Sequence, residues 1–137
     1  MQYSELVQTY VRPREDALFN RLVALFDKHS PRAIALDDRQ LPNLGKRLKM
    51  VGIPVWQLWT KEMIAAGKVA HSLITSDEAK HNNDPLLLIQ SQTAVTKHVG
   101  ENWMINRRES GEVDALMATI MAIYVSSRAQ NAEIGVF

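Results

Sequence analysis

The stretch from Asn106 to Arg128 constrains this chain most. It passes from a polar segment, Asn-Arg-Arg-Glu-Ser-Gly-Glu, into a strongly apolar one. Val113, Leu116, Met117, Ile120, Met121 and Tyr124 fall at helical spacing, so the segment predicts a helix with one buried face fed by a polar loop. Asp114 sits in the first turn of that helix, where the positive end of the helix dipole favours a carboxylate. It reads either as an ordinary N-terminal acid or as a metal ligand at the rim of a buried helix.

The 137 residues fit one domain, and an apolar share of 46% is enough for a core. A net charge of +1 gives no global pull toward nucleic acid, so any DNA contact must come from local patches. There is no cysteine, which excludes disulfides and thiolate metal sites and agrees with a cytosolic setting. The opening Met-Gln-Tyr-Ser-Glu-Leu does not read as a signal peptide. No apolar run approaches the roughly 20 residues a membrane span needs, so no membrane partner is expected.

Met1 to Arg12 reads as a short strand or an irregular arm. Pro13 suits the first turn of a helix that carries Leu18, Leu22, Leu25 and Phe26 and stops at Ser30-Pro31. Ala33 to Leu36 is a short apolar run of the kind found in buried parallel strands, ending at Asp37-Asp38. A helix over Pro42 to Val51 ends at Gly52, and Ile53 to Leu58 reads as a second strand. Strand, helix, strand in this order predicts a right-handed parallel crossover. In such sheets the functional crevice lies at the carboxyl ends of the strands, where Asp37 and Asp38 fall. Thr60 caps a third helix reaching Ala66 or, past Gly67, Leu73. Thr75 to Asp84 reads as a polar loop or short helix, Pro85 to Thr96 as a helix, Trp103 to Ile105 as a short strand, and Ala129 to Phe137 as a patternless tail.

Three features bear on chemistry. Asp37 and Asp38 have two readings: the start of a loop with a helix cap, or hard oxygen ligands for Mg²⁺ or Mn²⁺. Enzymes that cut phosphodiesters with two divalent ions need several carboxylates brought onto the metals. Arg107 and Arg108, just before Asp114, suit contact with a DNA phosphate. Lys46, Arg47 and Lys49 read instead as a solvated helix face. The histidines (His29, His71, His81 and His98) lack metal-ligand spacing and read as surface or loop residues. Trp56, Trp59 and Trp103 each lie in an apolar run and read as core. Gly45-Lys46 lacks the glycine-rich run of a phosphate loop, and no serine sits in an elbow motif.

Together these pieces resemble the C-terminal half of the nuclease domain of the phage DNA-packaging terminase large subunit. The resemblance is carried by the strand Ala33-Ile-Ala-Leu-Asp37; by Gly52-Ile53-Pro54-Val55; by His81-Asn-Asn-Asp-Pro85 before an apolar helix; by Gly100, Trp103, Arg107 and Arg108; and by Val113-Asp114-Ala115-Leu116-Met117-Ala118. It covers roughly Glu15 to Arg128, within a single domain with its core at 16–128 and a tail at 129–137. It implies an α/β, partial ribonuclease-H-like fold, a short mostly parallel sheet flanked by helices. It also implies metal-dependent cleavage of double-stranded DNA during genome packaging in the host-cell cytoplasm.

By position, Asp37 resembles the family's strand-end acid, Asp114 its helix acid, and Asp38 a further metal-ligand candidate. The family's ATPase motor has no counterpart here. Its first strand normally carries an essential Asp, and nothing before Asp16 reads as that strand with its acid; Glu5 does not fit. The chain therefore resembles a truncated copy, a separately encoded fragment or half of a split protein. A site short of one acid should bind metal weakly. A missing strand should expose a sheet edge, through which the chain would bind DNA, a terminase, another packaging protein or its own copy without catalysis.

Overall fold

A computed structural model describes residues 2–4, 14–77, 79–81 and 84–133. In chain order its first elements are β1 (Gln2–Ser4), α1 (Glu15–His29), β2 (Ile34–Asp37), α2 (Pro42–Met50), β3 (Val55–Leu58) and α3 (Thr60–Thr75). There follow β4 (Ala79–His81), α4 (Pro85–Thr93), β5 (Thr96–Val99), β6 (Asn102–Ile105), α5 (Arg107–Ser110) and α6 (Asp114–Glu133). The chain divides into two units, Gln8–Thr60 and Met1–Val7 with Lys61–Phe137.

In the unit of Gln8–Thr60 the expected parallel pairing across a helix is present. β2 and β3 pair in parallel, with Ile34 opposite Val55 and Asp37 opposite Leu58. One more bond, from Asp38 N–H to the Leu58 carbonyl at 3.0 Å, ties the turn after β2 to the end of β3. Leu36, Leu44, Leu48 and Ile53 form the core of this unit. Leu18, Phe19, Leu22, Val23 and Phe26 of α1 pack onto it, as their helical spacing requires. α1 ends at Ser30, whose φ of +46° breaks the helix while its N–H still reaches the Phe26 carbonyl. α2 ends at Met50, and two residues on Gly52 takes a φ of +85°, a backbone region that glycine enters at no steric cost.

Arg47 departs from its expected role on a solvated face. Its guanidinium lies 4.3 Å from the centre of the Phe19 ring and donates to Asp16 at 2.7 Å, tying α2 to α1. Lys46 and Lys49 are exposed. Trp59 also departs from expectation: it is 55% exposed rather than core.

In the other unit, α6 packs against α4 and β1. The expected stripe on α6 is buried except for Leu116, which is half-buried; Ala115, Ile123 and Val125 are buried as well, so more than one face is covered. Gly67 of α3 brings that helix against β6, since a Cβ there would stand 3.3 Å from the ring of Trp103.

Four expectations for this unit are corrected. The stretch read as a polar loop or short helix contains β4, which pairs in parallel with β1. A strand not anticipated at Thr96–Val99 forms an antiparallel hairpin with β6, turning at Gly100 with φ of +64°. The polar loop before α6 holds the one-turn helix α5, because the Asn106 side chain accepts from the N–H groups of Arg108 and Glu109. The tail continues α6 as far as Glu133, and its last four positions lie outside the described residues. Of the N-terminal stretch Gln2–Ser4 forms the strand β1, whose sequence carries no acid; positions 5 to 12, Glu5 among them, lie outside the described residues.

Candidate functional site

Asp37 is the last residue of β2 and is 3% exposed. Its main-chain carbonyl accepts from Gln40 and Leu41 N–H groups, both at 3.1 Å, which closes the turn after the strand. Its carboxylate accepts from the Arg39 backbone N–H, also at 3.1 Å, a local bond that aspartate commonly makes in turns. The Arg39 guanidinium then lies side-on, with Nε donating to Oδ1 and Nη2 to Oδ2, each at 3.1 Å. Its remaining arm, Nη1, reaches the Thr60 hydroxyl at 3.4 Å. A carboxylate this buried requires such a partner, because leaving it charged and unpaired is costly.

Asp38 is 5% exposed and is held differently. Its Oδ1 accepts from the amide Nε2 of Gln57 on β3. The Oε1 of the same amide accepts from Lys49 on α2. The cation on one side and the carboxylate on the other fix which end of the amide faces which. Gly45, one helical turn before Lys49, makes room: a Cβ there would stand 2.8 Å from Gln57 Nε2. Helix α2 and strand β3 together hold Asp38 in place.

Asp114 opens α6, and its carboxylate is 85% exposed. Arg107 Nη1 donates to its Oδ1 at 3.0 Å. The start of α6 is further secured by Gln90 of α4, buried at 4% exposure, whose Oε1 accepts from Leu116 N–H at 3.1 Å. This satisfies one of the amides that a helix N-terminus leaves unpartnered. Arg107 is thus engaged with Asp114, while Arg108 is exposed.

The expected site residues therefore form two groups: Asp37 and Asp38 beside Arg39 and Gln57, and Asp114 beside Arg107. Among the described residues no three His, Asp or Glu side chains come together as a group able to hold a metal. The chemistry of Asp37 and Asp38, adjacent buried carboxylates, does fit a hard divalent cation. The geometry adds one condition, that Arg39 release Asp37. His29, His71 and His98 are exposed, as expected, and His71 meets the edge of Trp103 with ring centres 6.2 Å apart; the His81 side chain lies outside the described residues.

Arg39, Gln57 and Gln90 were not picked out by sequence reasoning, while Lys49 was read as part of a solvated helix face and Gly45 only as lacking a phosphate loop. Arg39 and Gln57 leave a readable trace. Arg39 follows a strand-end Asp at a spacing of two, and Gln57 is a lone amide inside an apolar strand.

The unit of Gln8–Thr60 is built of helices and a parallel strand pair, with Asp37 and Asp38 at the carboxyl end of β2, where α/β folds place their chemistry. No protein-family model matches the sequence, and no curated protein matches it. Solved structures do match. The chain is similar to the large terminase of bacteriophage HK97, with a TM-score of 0.67 and 18% identity over 82% of this chain and 25% of that one. It is also similar to the large terminase nuclease from thermophilic phage G20c, with a TM-score of 0.66 and 17% identity over 80% of this chain and 61% of that one. The chain thus has a fold like that of the terminase nuclease, partial and ribonuclease-H-like, and spans a quarter and about three-fifths of these two chains. Among the described residues no helix is long and apolar enough to cross a membrane.

Proposed function

We propose that this chain is a terminase-like nuclease region that cuts double-stranded DNA in a divalent-metal-dependent reaction during genome packaging, in the cytoplasm of a phage-infected or prophage-bearing host. The observation that carries this reading is a fold likeness over four-fifths of the chain combined with a buried acid pair at the end of β2. Asp37 and Asp38 would hold Mg²⁺ or Mn²⁺, and Asp114 would be the second essential acid. A divalent ion held there would supply an activated water and stabilise the negative charge that develops on the phosphate oxygens.

The chain's own side chains prepare the rest. Gln57, with Lys49 behind it, aims the Asp38 carboxylate. Arg107 orients Asp114, and Arg108, exposed at the start of α5, would meet a backbone phosphate.

A second reading has its own support. With Asp37 engaged by Arg39 and no cluster of three ligands among the described residues, the chain would act as a non-catalytic terminase-derived fragment. It would bind DNA, a terminase or packaging partner, or a second copy of itself. Among the described residues each strand pairs with one other strand, and the outer edge of a two-stranded pair is of the kind that accepts an added strand.

Supercoiled plasmid incubated with the purified chain and Mn²⁺, Mg²⁺ or EDTA separates the two. Nicking that requires the metal supports the nuclease. Folded protein that retards DNA but nicks in no divalent ion supports the fragment.

A further inference from the structure

We propose that Arg39 occupies the place of the divalent cation at Asp37, so that metal binding there is an exchange in which the guanidinium must leave the carboxylate. The inference rests on Asp37 being a metal-holding acid, as proposed above. Both Asp37 oxygens face the Arg39 fork at 3.1 Å, the pairing in which a planar guanidinium matches a carboxylate edge to edge. A divalent ion needs lone pairs on the same oxygens. The two cations therefore compete for one anion.

The competitor is tethered. Arg39 lies two residues from Asp37, and its backbone N–H is itself bonded to Oδ1, so dilution cannot remove it. Thr60 steadies the outer arm of the fork. The arginine side chain is 26% exposed against 3% for the aspartate, which gives the guanidinium a way out to water while the acid stays in place. The arrangement solves a problem that any buried metal-binding acid meets when no metal is bound. The carboxylate stays paired, so the end of β2 keeps its shape. The consequence is an apparent metal affinity set below the intrinsic one by the strength of the arginine pair.

The test is calorimetric titration of the folded chain with Mn²⁺, using wild type, Arg39→Met, Asp37→Asn and the double variant. Arg39→Met is expected to bind Mn²⁺ about tenfold tighter or more, the scale of losing charge-assisted hydrogen bonds. The gain should vanish when Asp37→Asn is added. Mn²⁺ should also raise the melting temperature of Arg39→Met more than that of wild type, because the ion takes the place of the guanidinium at a buried acid. Should Arg39→Met not fold, Arg39→Lys, which keeps the charge and loses the fork, carries the test with a smaller gain in the same direction.

Unchanged affinity in the Arg39 variants, with Asp37→Asn weakening binding, would overturn the exchange and leave Asp37 as a metal-holding residue. Binding that Asp37→Asn does not alter, or no binding at all, would remove both.

Discussion

The Cβ that Gly45 lacks would stand 2.8 Å from Nε2 of Gln57 and 3.2 Å from its Cδ. A missing side chain on α2 thus makes space for an amide on β3, and that amide holds a buried acid. Alanine at position 45 would gain about 1 kcal/mol of helix propensity over glycine. It would also push the amide off Asp38, and a buried carboxylate left without its donor costs about 1–3 kcal/mol. Gly45→Ala is therefore expected to lose on the order of 1 kcal/mol overall. In a Gln57→Ala background the same change meets open space and should stabilise. Denaturant unfolding of the four proteins reads the coupling; an effect of the same sign in both backgrounds would contradict the relationship.

Gln90, buried on α4, reaches the N-terminus of α6 through the Leu116 N–H. Gln90→Ala removes that acceptor and leaves space where a side chain was packed. A loss of about 1–3 kcal/mol is expected from the unpaired buried amide. Native-state hydrogen exchange should show the protection of Leu116 falling more than that of residues in the middle of α6. A uniform fall across the helix would argue against a local capping role.

The two candidate acids should differ sharply as structural residues. Asp37 is buried and doubly bonded to Arg39, so Asp37→Asn should cost about 1–3 kcal/mol. The Asp114–Arg107 pair is largely solvent-exposed on the acid side, and exposed pairs contribute about 0–1 kcal/mol. Asp114→Asn should therefore unfold within about 1 kcal/mol of wild type. Thermal or urea denaturation compares them directly. A large loss for Asp114→Asn would mean the residue is structural in a way its exposure does not reveal.

What was legible in the sequence follows from the range of the forces involved. The crossover from β2 through α2 to β3 was readable because its apolar runs are continuous and its stop at Gly52 is local. The buried stripe of α6 was readable from spacing alone. β4 was not, because Ala-Lys-His has no strand pattern and its pairing with β1 is a contact between distant parts of the chain. β5 was missed for a related reason: Thr96, Lys97 and His98 are all exposed, so alternation never shows.

At the candidate site, the position of Asp37 and Asp38 could be read from the strand end. Their partners could not, since a side-on guanidinium and an amide bridge are matters of side-chain direction. Arg47 shows the same limit, a basic residue in a basic run that the fold turns onto Phe19 and Asp16.

The most direct measurement of the central claim is plasmid nicking by Asp37→Asn and Asp114→Asn beside wild type. It should be run in Mn²⁺, at a temperature where denaturation shows all three to be folded. The account predicts metal-dependent nicking by wild type and a loss of at least about a hundredfold in each variant, the scale on which removing an essential charged group acts on phosphoryl transfer. Nicking that survives in folded Asp37→Asn or in folded Asp114→Asn would contradict the assignment of these two acids.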